Sequence, residues 1–242
     1  MKKIGITGQN GFVGYHLYQT FKLYKDEFSI IDFDRTFFGN ETKLDAFVNQ
    51  CDVIVHLAAL NRHNDPEVIY KMNTDLVKSL VASLERTKSK AHVIISSSTQ
   101  EERDNLYGKS KKEGRLIFSD WSNRTGGLFT GMIIPNVFGP FGHPFYNSVI
   151  ATFCHQVSRN ETPKIEMDGQ LKLIYVGKLV EEIIKVVRNE DNTHEMMLPQ
   201  TAEAKVSEIL NLLQFYKEVY QERGEFPKIN NDFEHKLFNT YR

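Results

Sequence analysis

Short apolar runs alternate with amphipathic stretches along the chain, the rhythm of repeated βαβ units that build a parallel sheet covered by helices. Lys3 to Thr7 predicts a first strand, after which Val13, Leu17 and Phe21 recur every fourth residue as one face of a helix. Phe28 to Phe33 predicts a second strand and Asp52 to Leu57 a third. The third is apolar almost throughout, as expected of a central strand covered on both faces. Asp65-Pro66 opens a long helix, with an acid at the N-cap and proline at the first helical position. Its expected core stripe is Ile69, Met72, Leu76, Leu80 and Leu84. His92 to Ser96 predicts a fourth strand, Tyr107 to Ser119 a helix and Leu128 to Ile134 a further strand.

Past Pro135 the texture changes. Glycine, proline and aromatic residues crowd Phe138 to Tyr146 before another helix begins. Leu171 to Val176 predicts a strand, Lys178 to Val187 a helix, and Val206 to Tyr220 a last amphipathic helix. The tail from Arg223 is polar, punctuated by aromatics, and the pattern assigns it no role. The expected fold is α/β, a Rossmann-type doubly wound parallel sheet with a small C-terminal substrate lobe. One domain is expected over residues 1–242, with a dinucleotide-binding core to about residue 135 and later sheet elements and the lobe from about 136.

Composition narrows the function classes. The 242 residues carry 30 basic and 31 acidic side chains, a balance that lacks the basic face a nucleic-acid partner requires. The cluster Lys109, Lys111, Lys112 and Arg115 therefore reads as a helix face. Cys51 and Cys154 sit beside apolar residues and read as buried free thiols, and no Cys/His spacing suggests a metal. Met1-Lys2-Lys3 leads into a strand rather than a secretory signal, and no apolar run is long enough to span a bilayer. A cytoplasmic protein with no membrane contact is the expectation.

Gly8-Gln9-Asn10-Gly11-Phe12-Val13-Gly14 falls between the first strand and first helix, where a dinucleotide site is expected. Glycines let the backbone turn sharply and approach a pyrophosphate, and the following helix offers free N–H groups to it. The second strand runs into Asp32-Phe33-Asp34-Arg35. An acid here accepts hydrogen bonds from the adenosine ribose, whereas an arginine accommodates a 2′-phosphate. Asp32 and Arg35 are both candidates. The guanidinium favours NADP(H) with NAD(H) left open, and Asp34 would oppose a phosphate if its side chain pointed inward.

Tyr107-Gly108-Lys109-Ser110-Lys111 sets Tyr107 and Lys111 four apart, on one face of a helix. A phenol that protonates a reduced carbonyl near neutral pH must be more acidic than its usual value of about 10. A neighbouring ammonium favours the phenolate. Ser96-Ser97-Ser98-Thr99 closes the fourth strand, and a hydroxyl there could hold a substrate carbonyl for hydride attack.

These motifs together resemble the extended short-chain dehydrogenases. Thr7 to Gly14 is similar to their TGxxGxxG turn, and Tyr107 with Lys111 to their Tyr-x-x-x-Lys pair. The resemblance implies that Lys111 also holds the nicotinamide ribose. It implies Ser98 as carbonyl-binding hydroxyl with Thr99 second, although the stretch from Ser98 to Tyr107 is shorter than in most members. Ser97 is a further expected substrate contact. Val55-His56-Leu57-Ala58-Ala59 resembles the strand end whose Leu57 and Ala58 would pack along the cofactor, with His56 structural. Asn73 matches an asparagine that holds backbone beside the active site. Pro135-Asn136-Val137-Phe138-Gly139-Pro140 resembles a segment bordering nicotinamide and the substrate diphosphate. The later RDxxHVxD motif is reduced to Leu171 to Gly177, without its acid.

Asn136 to Gly139, Tyr146 to Cys154, Leu60-Asn61-Arg62 and the closing Phe233 to Tyr241 are similar to bacterial capsule-type UDP-sugar reductases. That resemblance implies NADPH-dependent reduction of a 4-keto-6-deoxy-N-acetylhexosamine nucleotide, with Asn136 and Asn147 bordering the diphosphate, and a homodimer. Members of that family continue into a metal-binding cupin domain. The expectation here is either a reductase-only relative or a sequence that stops at a domain boundary. Two other readings stand beside it: a nucleotide-sugar dehydratase or epimerase with retained NAD, for which Glu101 and Glu102 are the nearby acids, and a nonenzymatic dinucleotide-binding scaffold or sensor.

Overall fold

A computed structural model of the chain describes residues 1–146 and 148–242. Asn147, one of the expected diphosphate contacts, lies outside the described residues. The chain divides into two compact units, residues 1–134 with 180–198, and residues 135–179 with 199–242.

The first unit is built on β1 (Lys2–Thr7), β2 (Phe28–Ile31), β3 (Val53–His56), β4 (His92–Ser98), β5 (Phe129–Ile134) and the short β8 (Met196–Met197). They form one sheet in the order β2-β1-β3-β4-β5-β8, every neighbouring pair parallel. The strand order reverses between β1 and β3, which opens a crevice at their carboxyl ends. This is the expected Rossmann-like doubly wound sheet. All four residues of β3 are buried, which accounts for its unbroken apolar run.

Helices α1 (Phe12–Phe21), α2 (Glu41–Gln50), α3 (Pro66–Thr87) and α4 (Leu106–Thr125) belong to this unit, as do the residues of α6 (Val176–Asn189) from Val180 onward. One core layer joins Leu44, Phe47 and Val48 of α2, Leu80 and Leu84 of α3, and Phe118 and Trp121 of α4 to Ile54, Val93, Ile95 and Phe129 of the sheet. Asp65 caps α3 as expected, its carboxylate accepting from the Glu67 amide at 2.9 Å. The expected α3 stripe is corrected. Ile69, Val77, Leu80, Val81 and Leu84 are buried, Leu76 is only half-buried, and Met72 is exposed. The helix is turned so that Asn73 and Thr74 also face inward, a polar demand that an apolar count does not register.

The second unit carries β6 (Asn136–Phe138), β7 (Gln170–Tyr175) and β9 (Ala202–Lys205) in the order β6-β7-β9, parallel and then antiparallel. Around them lie α5 (Val149–Ser158), α7 (Val206–Tyr216), a π-helical turn over Lys217–Glu222, and α8 (Asp232–Tyr241). The expected helix to Tyr220 thus changes pitch after Tyr216. The tail that had no assigned role is structural: Leu237 and Phe238 of α8 are buried against Phe138, Phe153, Leu213 and Tyr216. Asn231 caps α8 by accepting from the Glu234 amide at 2.9 Å.

Candidate active site

The carboxyl edge of the first sheet is level by register. Thr7 pairs with His56, and His56 with Ile95, so the chain exits at Gly8 and Leu57 come level with Ser96, from which β4 runs on to Ser98. Thr7 joins the first two of these exits, its hydroxyl 2.8 Å from His56 Nδ1 and accepting from the Ala58 amide at 3.4 Å. His56 is buried, and desolvation together with the charge of Lys111 pushes its pKa down to about 3. It is a neutral packing group, as expected.

The glycine turn is tight enough to demand its residues. Gly8 has φ +81°, and a Cβ on Gly14 would lie 2.1 Å from the Gly8 carbonyl oxygen. Gly11 caps α1 without a side-chain hydrogen bond, and no acid occupies the first turn of that helix. Its leading N–H groups and positive end therefore suit an anion. The cradle that only glycine permits, with the uncapped helix behind it, fits a dinucleotide pyrophosphate. Asn10 and Gly11 are exposed there, while Phe12 and Val13 are half-buried, as are Leu57 and Ala58.

After β2 the chain enters a 3-10 turn over Arg35–Gly39. Asp34 caps it, its carboxylate accepting from the amide of Thr36 at 2.8 Å and its hydroxyl at 2.6 Å. These bonds hold the Asp34 carboxyl below its usual range. Asp34 is thus turned to its own chain, and Asp32 and Arg35 are exposed.

Tyr107 and Lys111 lie one turn apart near the start of α4. Asn105 caps this helix, accepting from the Gly108 amide at 2.7 Å. Tyr107 is half-buried, whereas Lys111 is 7% exposed and its Nζ lies 3.5 Å from the Ser96 hydroxyl. Burial pushes the Lys111 ammonium down to about 8, against the opposing charge of Glu101. The spacing had singled out both residues. It had not singled out Ser96, because four consecutive hydroxyl residues look alike until the strand assigns them faces.

Alternation on β4 sends Ser96 and Ser98 one way and Ser97 the other. Ser97, an expected substrate contact, is buried and its hydroxyl donates to Glu101. Ser98 is half-buried and caps the 3-10 turn over Thr99–Glu102 by accepting from the Gln100 amide at 3.2 Å; Thr99 is half-buried beside it. The basic cluster also divides. Lys109 and Lys112 are exposed beside Asp104 and Glu102, whereas Lys111 and Arg115 are buried. Asn73 does hold backbone here: it accepts from the Leu60 amide at 2.7 Å and donates to the Leu60 carbonyl at 3.1 Å and to Ser110 at 3.0 Å. In the second unit Asn136 is exposed and donates to the Lys172 carbonyl at 3.0 Å. Among the described residues no helix is long and apolar enough to cross a membrane.

A parallel sheet with a glycine cradle at its switch point and a Tyr/Lys pair beside it defines a dinucleotide-binding protein. The chain belongs to the NAD dependent epimerase/dehydratase family, whose model matches residues 4–198. Its cofactor is accordingly NAD(H) or NADP(H). It is 30% identical over 186 residues to the UDP-2-acetamido-2,6-beta-L-arabino-hexul-4-ose reductase of Pseudomonas aeruginosa, covering 76% of this chain and 49% of that protein. It also resembles the capsular polysaccharide assembling protein CapF of Staphylococcus aureus, with 31% identity and a TM-score of 0.83 over 99% of this chain and 64% of that one. The chain thus spans about half of the first relative and less than two thirds of the second. RMD from Pseudomonas aeruginosa, solved with NADPH, shares the fold at a TM-score of 0.83 and 16% identity, over 100% of this chain and 98% of its own.

Proposed function

We propose that the chain reduces the 4-keto group of a UDP-linked 2-acetamido-2,6-dideoxy-hexulose, with NADPH as preferred donor, in capsule or O-antigen sugar-nucleotide synthesis. The observation that carries this reading is the buried Lys111 one turn from Tyr107, at the sheet edge where the glycine cradle opens. The identity to a UDP-hexulose reductase supplies the substrate class. Gly8, Asn10, Gly11, Phe12, Val13 and Gly14 would hold the pyrophosphate, Leu57 and Ala58 would line the cofactor, and Asp32 and Arg35 would meet the adenosine ribose. The Asp34 carboxylate is occupied by Thr36 of its own turn, which leaves Arg35 as the group to meet a 2′-phosphate and so supports NADPH.

NADPH held in the glycine cradle would supply hydride for the C4 carbonyl. Tyr107 donates its phenolic proton to the carbonyl oxygen, and the Lys111 ammonium stabilises the phenolate that remains. Ser98 or Thr99 donates a hydrogen bond to the carbonyl and orients it. Asn136 and Asn147 would be the contacts to the nucleotide diphosphate. The dehydratase reading is less favoured because Glu101 is consumed by a buried ion pair, and Glu102 is exposed beside Lys112. A homodimer in the cytoplasm is part of the same proposal, and a monomer by light scattering would remove the first half of it.

The test is NADPH oxidation with an enzymatically generated UDP-4-keto-6-deoxy-N-acetylhexosamine, run beside Tyr107→Phe. Wild type is expected to consume NADPH, and the variant to lose at least about a hundredfold in kcat while still binding the dinucleotide. A protein that binds NADPH and leaves this substrate unreduced would overturn the assignment.

A further inference from the structure

Arg115 follows Lys111 by one turn of α4, and both side chains are buried. Arg115 reaches back to Glu101, its Nε 3.0 Å from one carboxylate oxygen and its Nη2 2.7 Å from the other. The remaining Nη1 meets the Glu195 carboxylate at 3.0 Å and the His194 carbonyl at 3.3 Å. Glu101 also accepts from Ser97, so its carboxylate is tied to β4 and α4 at once. The backbone is equally close: a Cβ on Gly108 would lie 2.0 Å from the Gln100 carbonyl oxygen. The short turn after β4 is therefore locked against the first three turns of α4.

That lock sets an acid near Lys111, a cation with no ion pair among the described residues. Lys111 donates to the neutral Ser96, its charge reaches His56 on β3 and Glu101 on the 3-10 turn, and Tyr107 and Arg115 stand one turn to either side of it on α4. From α3 the neutral amide of Asn73 bonds the adjacent Ser110. His56 is uncharged at neutral pH. Glu101 is then the one carboxylate in this set.

We propose that Glu101, clamped by Arg115, is a positioning residue that keeps Lys111 in its buried ammonium form beside Tyr107. The inference rests on the Tyr107–Lys111 reading of the site and adds the group that maintains it. Without the Glu101 charge, the ammonium loses its electrostatic support while its desolvation stays. Lys111 then releases its proton at lower pH, and proton delivery by Tyr107 fails there.

The experiment follows the Lys111 side chain by NMR in 13C-lysine-labelled full chain, assigned with Lys111→Arg, across a pH titration. Glu101→Gln is expected to lower the Lys111 midpoint by about one pH unit, and Glu101→Asp to leave it near wild type. Glu101→Gln/Arg115→Met, which removes both buried charges and tolerates the site's burial, is expected to shift it downward as well. An unmoved midpoint in both Gln variants overturns the proposal. A loss of turnover shared equally by Glu101→Asp and Glu101→Gln, with no change in pH profile, also overturns it, since that is what packing alone would do. Because the titration needs no substrate, a shifted midpoint in a protein that fails to reduce the keto-sugar would refute the reaction and leave this proposal standing.

Discussion

At the scale of single residues, burying an ammonium costs free energy that only function or a counter-charge can justify. Lys111 lies near the point where that cost changes its protonation: its pKa is pushed down to about 8 by burial. On the proposed mechanism, loss of a proton on going alkaline would remove the charge that stabilises the Tyr107 phenolate, so activity would be present below about 8 and fall above it. We predict that kcat/KM for keto-sugar reduction declines through this range; a flat profile to pH 10 would show that Lys111 does not act as an ammonium. Gly108 makes a second case. The Cβ of Gly108→Ala would meet the Gln100 carbonyl, so the variant should lose about 1–3 kcal/mol of stability and most turnover, because Tyr107 is the adjacent residue. Urea unfolding beside an activity assay would check both. The Tyr107–Lys111 pair was legible in the sequence because a four-residue spacing on a helix fixes a shared face. Ser96 and the Glu101–Arg115 pair were not. Their roles depend on which way β4 alternates and on a turn that folds back, neither of which a run of serines and glutamates encodes.

At the scale of elements, α4 carries the proposed Tyr107–Lys111 pair and is anchored to its neighbours by polar bonds. Asn73 of α3 is the chief of these, joining the Leu60 backbone to Ser110 of α4 through three hydrogen bonds. Asn73→Ala would leave buried partners unsatisfied and is expected to cost about 2–3 kcal/mol. The loss of turnover should exceed what unfolding explains at the assay temperature, and unchanged stability in urea would contradict the role. The parallel strands were legible because a strand covered on both faces must be apolar throughout. Helix α2 was missed: its ten residues bury only Leu44, Phe47 and Val48, a stripe too short to separate from a loop. The strands β6, β8 and β9 have two to four residues, shorter than any periodicity can register, and exist because partners already in place complete their ladders.

At the scale of the whole molecule, the fold class was legible because the βαβ rhythm runs through the first unit. The closing of the second unit was not, since α8 contributes chiefly Leu237 and Phe238 from a polar tail. The first unit also has a pH response that no local pattern announces. His56 and His92 are buried, and desolvation pushes their pKa values down to about 3 and about 4. The unfolded chain protonates each near 6.5, so their contribution to stability is complete above that value and is lost as the pH falls toward 4 and then 3. At pH 5 each histidine should have withdrawn about 2 kcal/mol. Carboxylates held below their usual range, such as Asp45 and Asp168, give way only at lower pH, which leaves the interval from 7 to 5 to the histidines. Urea unfolding at those two pH values should show the loss, and His92→Gln should remove about half of it whatever its absolute stability. An undiminished pH dependence in His92→Gln would mean that this imidazole is not a source, and that the acid sensitivity lies with His56 or in the unfolded chain.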